Sequence, residues 1–310
     1  MSRELKNISQ SVHQRLLHKA RQSSRTFNEL LQHYAIERFL YRISKSLNAD
    51  KFILKGALMF SVWSRQISRP TMDIDLMGKI DNSLDVIAAA MKRACETEVE
   101  NDGTVFDPAS VAAVRITEDA EYQGVRVRIR GSLGNARISL QIDVGFGDEV
   151  YPRPRKIQYP TLLDFPAPEL RGYTMESTIA EKLQAMVKLG VLNSRMKDFY
   201  DVWLLSKTFN FEGERLGKAV TKTFEKRNTG IPEAPDFLGP SFAQEKRVQW
   251  QAFVRKTKIA DAPGQFEVVI SDLRVFLEPL IISLVAKAKF DNAWNAPGPW
   301  KGPATREAIG

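Results

Sequence analysis

One stretch limits the fold more than any other. Phe52, Ile53 and Leu54 form a short apolar run that reads as a strand, Lys55-Gly56 as a glycine turn, and Ala57 to Trp63 as an apolar helix. The stretch closes on Arg69-Pro70-Thr71-Met72-Asp73-Ile74-Asp75-Leu76, expected to be an adjacent strand. Side chains alternate along a strand, so Asp73 and Asp75 point to the same face. Two carboxylates on one face repel each other unless a cation sits between them. That arrangement suits Mg²⁺, which binds one or two carboxylates together with the phosphates of a nucleotide.

The donor inventory narrows the chemistry further. With 310 residues, 43% of them hydrophobic, the chain can bury a substantial core, as one large domain or two ordinary ones. A single cysteine, Cys95, excludes an intrachain disulfide and a cysteine zinc cluster, and three histidines leave little for an imidazole site. A metal here is therefore expected to be a hard, oxygen-liganded cation. Met1 to Arg25 is polar and charged, with no apolar run of signal-peptide or membrane-span length, so a cytoplasmic protein without a membrane partner is expected. The formal charge of +8 permits a phosphate-rich partner but is equally the mark of a solvated lysine surface.

Periodicity sets the organisation. Residues 1–48 read as helical, with Ser24 or Thr26 as a cap for the second helix. Residues 83–98 form another amphipathic helix. Val125 to Arg130 and Ala136 to Val144 alternate as strands around Gly131-Ser132-Leu133-Gly134-Asn135, a hairpin signal. Asp143 is out of phase with Ile138, Leu140, Ile142 and Val144, and so faces the polar side. A proline-rich connector (Pro152, Pro154, Pro160, Pro166, Pro168) separates this α/β half from a mainly helical one. Helices are expected over Thr174–Leu189, closed by Gly190, and over Lys197–Ser206. Residues 227–245 read as loop and 246–288 as helical. The resulting division is 1–165, 166–288 and a flexible tail over 289–310, where Trp294 and Trp300 offer docking groups.

Seventeen aspartates in 310 residues give roughly one Asp-x-Asp pair by chance, so the pair alone says little. Its context says more: a strand–glycine turn–helix unit before it, and a third aspartate, Asp143, on a later strand. This layout resembles polymerase-β-type nucleotidyltransferases, an α+β fold with a mixed sheet and flanking helices, here with a mainly helical C-terminal lobe. In that superfamily a glycine turn admits nucleotide phosphates to backbone N–H groups, and three carboxylates hold two metal ions.

The resemblance extends along residues 45–280. Leu54-Lys55-Gly56, Arg69 to Leu76, Gln141-Ile142-Asp143-Val144, Ala180-Glu181-Lys182-Leu183-Gln184-Ala185-Met186 and Arg195-Met196-Lys197-Asp198-Phe199-Tyr200-Asp201 are similar to the AbiEii/AbiGii-type nucleotidyltransferase toxins of abortive-infection and toxin–antitoxin systems. So are Thr223 to Thr229 and Gln249-Trp250. The resemblance implies that Asp73 and Asp75 hold metal, with Asp143 as the third carboxylate. It implies that Lys182 contacts the nucleotide phosphates from the helical half, and that Asp198 belongs to a second essential cluster with Arg195 and Lys197 nearby. Lys55, Gly56, Arg69, Thr71 and Arg195 are the expected nucleotide-binding residues.

One departure stands out. The superfamily usually places a hydroxyl after the turn glycine, whereas this chain reads Gly56-Ala57-Leu58. Plainer readings also stand beside the sharp ones. Gly56 is then only a turn residue, Asp73 and Asp75 lie on an edge strand, Asp143 is a solvated strand residue, and Arg69 and Thr71 shape the approach to the strand. Lys182 is equally a solvated helix lysine. On the second helix Asp198 borders the apolar stripe of Phe199, Val202 and Trp203, whereas Asp201 lies further round, within reach of Lys197 at i, i+4. Arg126, Arg128 and Arg130 share one strand face, either exposed or tracking an RNA backbone.

The expected function is therefore an Mg²⁺-dependent enzyme that transfers a nucleotide from a nucleoside triphosphate to an acceptor hydroxyl. The resemblance implies the 3′ end of tRNA as acceptor, with translation blocked, and a separately encoded antitoxin of winged-helix repressor type. Two alternatives remain: modification of a protein hydroxyl by nucleotidylation or phosphorylation, and a decayed nucleotide- or RNA-binding protein, which Ala57 favours.

Overall fold

The chain opens with two helices whose starts are set by their caps. Helix α1 (Ile8–Gln22) begins at Asn7, whose side chain accepts from the Gln10 N–H. Helix α2 (Phe27–Lys45) begins with a complete capping box: Thr26 accepts from the Glu29 N–H at 3.2 Å, and Glu29 accepts from the Thr26 N–H at 2.8 Å. The computed structural model describes residues 7–23, 25–64, 71–119, 122–259 and 261–302, so Ser24 and Arg69 lie outside the described residues. The chain forms two compact units, Met1–Asp148 with Pro154–Tyr173, and Glu149–Arg153 with Thr174–Gly310.

In the first unit, β1 (Phe52–Lys55), helix α3 (Leu58–Ser64) and β2 (Asp73–Gly78) realise the strand–turn–helix–strand expectation. Helix α4 (Leu84–Glu96), β3 (Thr104–Phe106), β4 (Ala112–Asp119), β5 (Tyr122–Leu133) and β6 (Ala136–Phe146) follow. The sheet runs β3-β5-β6-β2-β1, with β4 pairing β5 beyond β3. Strands β2 and β6 are parallel, whereas β1–β2 and β5–β6 are antiparallel. Along β6 the apolar positions are buried and Asp143 is half-buried, as the alternation requires. Helices α2 and α4 pack on the sheet.

Helix α2 is buried almost all round, so its charged groups must be paired. Glu37 meets Arg38 at 2.8 Å and accepts from the Leu162 N–H at 2.6 Å. Burial pushes the Glu37 carboxyl up to about 7 against the pull of Arg38. Arg42 closes a fork on Asp102 at 2.7 and 3.1 Å.

The proline-rich stretch holds more order than a connector. It contains the first strand of a hairpin, β7 (Arg155–Gln158), whose partner β8 (Glu169–Gly172) follows directly. Strand β8 lies parallel to β1 and extends the sheet beyond it.

In the second unit, α5 (Met175–Leu189) starts at Thr174, which accepts from the Ser177 N–H, and stops at Gly190 with φ +50°. Next come α6 (Met196–Thr208), β9 (Phe211–Glu212), α7 (Gly213–Lys226), α8 (Pro240–Glu245), α9 (Arg247–Thr257) and α10 (Phe266–Val285). The stretch expected to be loop contains α8 and buries Phe237 and Phe242 against Phe199. Helix α9 is anchored by Trp250, which stacks on Phe266 with ring centroids 5.0 Å apart and donates to the Pro263 carbonyl. The stretch expected to be a flexible tail is packed as far as it is described. Strands β10 (Ala293–Trp294) and β11 (Trp300–Lys301) join β9 in a small antiparallel sheet. The Trp294 indole donates to the Ser206 carbonyl at 2.7 Å, and that of Trp300 to the Phe276 carbonyl at 2.8 Å. Among the described residues, no helix is long and apolar enough to cross a membrane.

Candidate active site

The sheet brings together the residues that the Asp-x-Asp strand singles out. Register places Lys55 opposite Asp75, Asp75 beside Asp143, and Asp143 opposite Arg126. One step along, Asp73 lies beside Gln141, and Gln141 opposite Arg128. Residues paired in register share a face, and neighbouring strands lie about 4.8 Å apart. Asp73, Asp75 and Asp143 therefore occupy one face of two adjacent parallel strands. That face is polar because the intervening Ile74, Leu76, Ile142 and Val144 are all turned into the core.

Gly56 exists to make room for Asp75. Its φ is +70°, and a Cβ placed on it would lie 2.7 Å from Asp75 Cγ. The glycine is required for backbone conformation and for space alike, so the Asp75 carboxylate lies directly against the turn between β1 and α3. The next residue, Ala57, is buried. Lys55 ion-pairs with Asp148 at 2.9 Å, and its Nζ lies 5.3 Å from the centroid of the Tyr173 ring. The Thr71 hydroxyl donates to the Asp73 carbonyl at 3.4 Å, a long bond that ties it to the start of β2.

Asp143 is engaged by protein. Arg126 Nε donates to Asp143 Oδ1 at 2.8 Å and Nη2 to Oδ2 at 2.7 Å, with Gln141 Nε2 a further 3.5 Å contact. Arg128 and Arg130, on the same strand face as Arg126, are exposed. Among the described residues, no group of three or more Asp, Glu, His or Cys side chains forms a metal cage. Asp73 and Asp75 are half-buried oxygen donors on the same face, and a pair of carboxylates suits Mg²⁺, which takes its other ligands from water and phosphate.

A second charged group occupies the helical unit. Lys182, on α5, lies 2.7 Å from Asp198 Oδ1 and 2.8 Å from Asp201 Oδ2, both on α6. Arg195, at the start of α6, lies 2.6 Å from Asp198 Oδ2. The side chains of Asp198 and Asp201 are 0% and 1% exposed. Burial alone would raise the Asp198 carboxyl, but Lys182 and then Arg195 outweigh it and hold it below the usual carboxylate range. Asp201 thus departs from the helical-wheel reading: it is buried and paired with Lys182, whereas Lys197 is exposed. The lysine stem is buried, as the border position predicts, but its ammonium is held between two carboxylates. The Thr223-to-Thr229 segment ties α7 to α5. Arg227 donates to Gln184 Oε1 at 2.9 Å, and Gln184 Nε2 donates to the Thr229 hydroxyl at 2.8 Å.

Sequence reasoning missed Arg126, Asp148 and Asp201 as partners of the expected residues. Arg126 had a signal. A two-residue turn at Gly134-Asn135 pairs Leu133 with Ala136, and counting back from it sets Arg126 opposite Asp143.

Comparison with solved structures finds JHP933 from Helicobacter pylori, at a TM-score of 0.52 and 13% identity, over 84% of this chain and 95% of that one. This likeness concerns the fold. A candidate nucleotidyltransferase from H. pylori aligns at a TM-score of 0.49 and 13% identity, over 86% of this chain and all of that one. No curated protein matches the chain. The family model described as nucleotidyl transferase AbiEii toxin, type IV toxin–antitoxin system, matches residues 38–279, which include both charged groups. The chain therefore belongs to the AbiEii nucleotidyltransferase toxin family.

Proposed function

We propose that this toxin nucleotidyltransferase uses Asp73 and Asp75 to hold Mg²⁺ with a nucleoside triphosphate and transfers the nucleotidyl group to the 3′ end of tRNA. The observation that carries the reading is the Asp75 carboxylate lying against Gly56, at a turn that only glycine can make. It sets a carboxylate directly against the backbone of the glycine turn, where a metal-bound triphosphate would lie. Bound there, the metal would neutralise the pyrophosphate leaving group and lower the pKa of the attacking hydroxyl.

The chain's own residues do the positioning. Asp73 and Asp75 hold the centre from one strand, at a spacing that fixes both carboxylates on the same side. The Gly56 turn brings the Asp75 carboxylate against the backbone that opens α3, and Ala57 adds no hydroxyl there. Lys55, braced by Asp148, supplies positive charge on the same face. The acceptor hydroxyl gives up its proton to solvent as its oxygen attacks the α-phosphorus, the new P–O bond forms, and the bond to the β-phosphate breaks with pyrophosphate leaving. We assign the Lys182–Asp198–Asp201–Arg195 group to the same reaction by family, with Lys182 as the phosphate contact. Exposed Arg128 and Arg130 and the net charge of +8 suit an RNA acceptor. Transfer to tRNA would block charging and stall translation in the cytoplasm, with a winged-helix repressor as the cognate antitoxin.

The test is incubation of purified protein with Mg²⁺, total tRNA and each α-labelled nucleoside triphosphate in turn. Labelled, lengthened tRNA is expected with at least one nucleotide. Label on protein instead would redirect the reading to a protein hydroxyl. Nucleotide bound with no transfer would favour the decayed binding protein that Ala57 suggests.

A further inference from the structure

The sheet that carries Asp73 and Asp75 is covered unevenly. Val125, Val127 and Ile129 of β5 and Leu140, Ile142 and Val144 of β6 are buried, with α2 packed on β6 and α4 on β5. The residues between them point to the opposite face. There Arg128, Arg130, Arg137 and Ser139 are exposed, and so are Val105 of β3 and Val114 of β4, at 65% and 52%. Register joins these positions to the aspartates on one surface. Arg128 lies opposite Gln141, which lies beside Asp73, Arg130 lies opposite Ser139, and Ser132 opposite Arg137. Val105 lies opposite Ser132, and Val114 opposite Arg126. Among the described residues, no ion pair holds Arg128, Arg130 or Arg137, so their charge is available to a partner.

Strands lie about 4.8 Å apart and residues two apart on a strand about 6.7 Å apart, which puts the backbones of these arginines about 10–14 Å from that of Asp73. A nucleic-acid strand that ends at the aspartates covers this distance with about three nucleotides. We propose that the open sheet face is the docking platform for the acceptor and takes an unpaired 3′ RNA tail of that length. Arg128, Arg130 and Arg137 hold its phosphates and lead its terminal hydroxyl to Asp73 and Asp75. The inference rests on the reading that the acceptor is RNA, and it names the form of RNA that fits. Guanidinium planes stack on splayed bases, and Val105 and Val114 offer apolar ground to bases and sugars. A paired helix keeps its base faces stacked inside and would leave those valines unused. Contacts that follow the backbone select for the tail and not for its sequence.

The test is binding of the full chain, over a range of salt concentration, to an RNA hairpin with a 3′ overhang of about three nucleotides and to the same hairpin with a blunt end. The overhang is expected to tighten binding about tenfold or more. In Arg128→Gln/Arg130→Gln/Arg137→Gln the slope of log affinity against log salt should shrink by about 2, or about 0.7 per arginine, and the advantage of the overhang should vanish. The corresponding triple lysine variant keeps the charge and should keep the slope. Equal binding of both hairpins by the wild type, or an unchanged slope in the glutamine variant, would overturn the platform while tRNA labelling by the wild type leaves the RNA reading standing. Equal loss in the lysine and glutamine variants would also overturn it, because charge would then not be what the arginines supply. RNA neither bound nor labelled by the wild type would remove the RNA reading, and the platform with it.

Discussion

The two charged groups of this protein use the same residue types in opposite ways. On the sheet, Asp73 and Asp75 are half-buried along one strand, in a face that also holds the Lys55–Asp148 and Arg126–Asp143 ion pairs. On the helices, Asp198 and Asp201 are fully buried and share Lys182, with Arg195 completing a group of two positive and two negative charges. The sheet arrangement is half-open and rich in acceptors. The helical one is closed and close to neutral. A family motif built from acidic and basic residues can thus be a site, a structural clamp, or both, and burial distinguishes them.

The sharpest way to break this contrast is Lys182→Met. It removes the cation shared by two buried carboxylates, and breaking a buried ion group by removing one partner costs roughly 3–5 kcal/mol. Urea denaturation is expected to show a loss of that order. Little change in the midpoint, with transfer abolished, would assign Lys182 purely to substrate. Loss of toxicity in a lysine variant therefore does not by itself mark a catalytic residue, and stability has to be measured beside it.

Asp75→Asn is expected to do the reverse. Transfer should fall about 100- to 1,000-fold, the usual cost of losing one electrostatic stabiliser, while Tm stays within a few degrees. A large drop in Tm would mean that the sheet carboxylates are structural as well.

Acid sharpens the comparison at smaller amplitude. The folded Asp198 carboxyl lies below its ordinary value of 3.8, despite burial, because of Lys182 and Arg195. The stability it contributes is present above the unfolded pKa and is lost as pH falls below that toward the folded one. Denaturation midpoints measured between about pH 5 and 3 should fall, and Asp198→Asn should flatten that fall. An unchanged slope in the variant would show that other carboxylates govern acid stability.

Much of this was legible from spacing. Alternation put Asp73 and Asp75 on one face and Asp143 on the polar side of its own strand, which register then joins, and capping residues marked the start of α2 and both ends of α5. What spacing reports is the side to which a residue points. It is silent on the partner across a strand or helix pair, and Arg126, Asp148 and Asp201 were missed for that reason. Helical-wheel angle misjudged Asp201 because α5 covers it with a lysine, and a buried lysine makes a buried aspartate affordable. The tail read as flexible from its prolines and glycines, but Trp294 and Trp300 find carbonyl partners and ring contacts in the helical core. Long-range pairing of that kind leaves no local trace.

The chain's route through the hairpin β7–β8 has a practical consequence for anyone dissecting the enzyme. Backbone leaves the sheet unit after Asp148, contributes five residues to the helical unit, comes back at Pro154, and departs for good after Tyr173. Severing it near residue 165, where prolines suggest a natural joint, would strip β8 from the flank of β1, the strand that carries Lys55 into the Gly56 turn. Each half expressed alone from such a cut would lack pieces of itself, because the two units are interleaved in sequence.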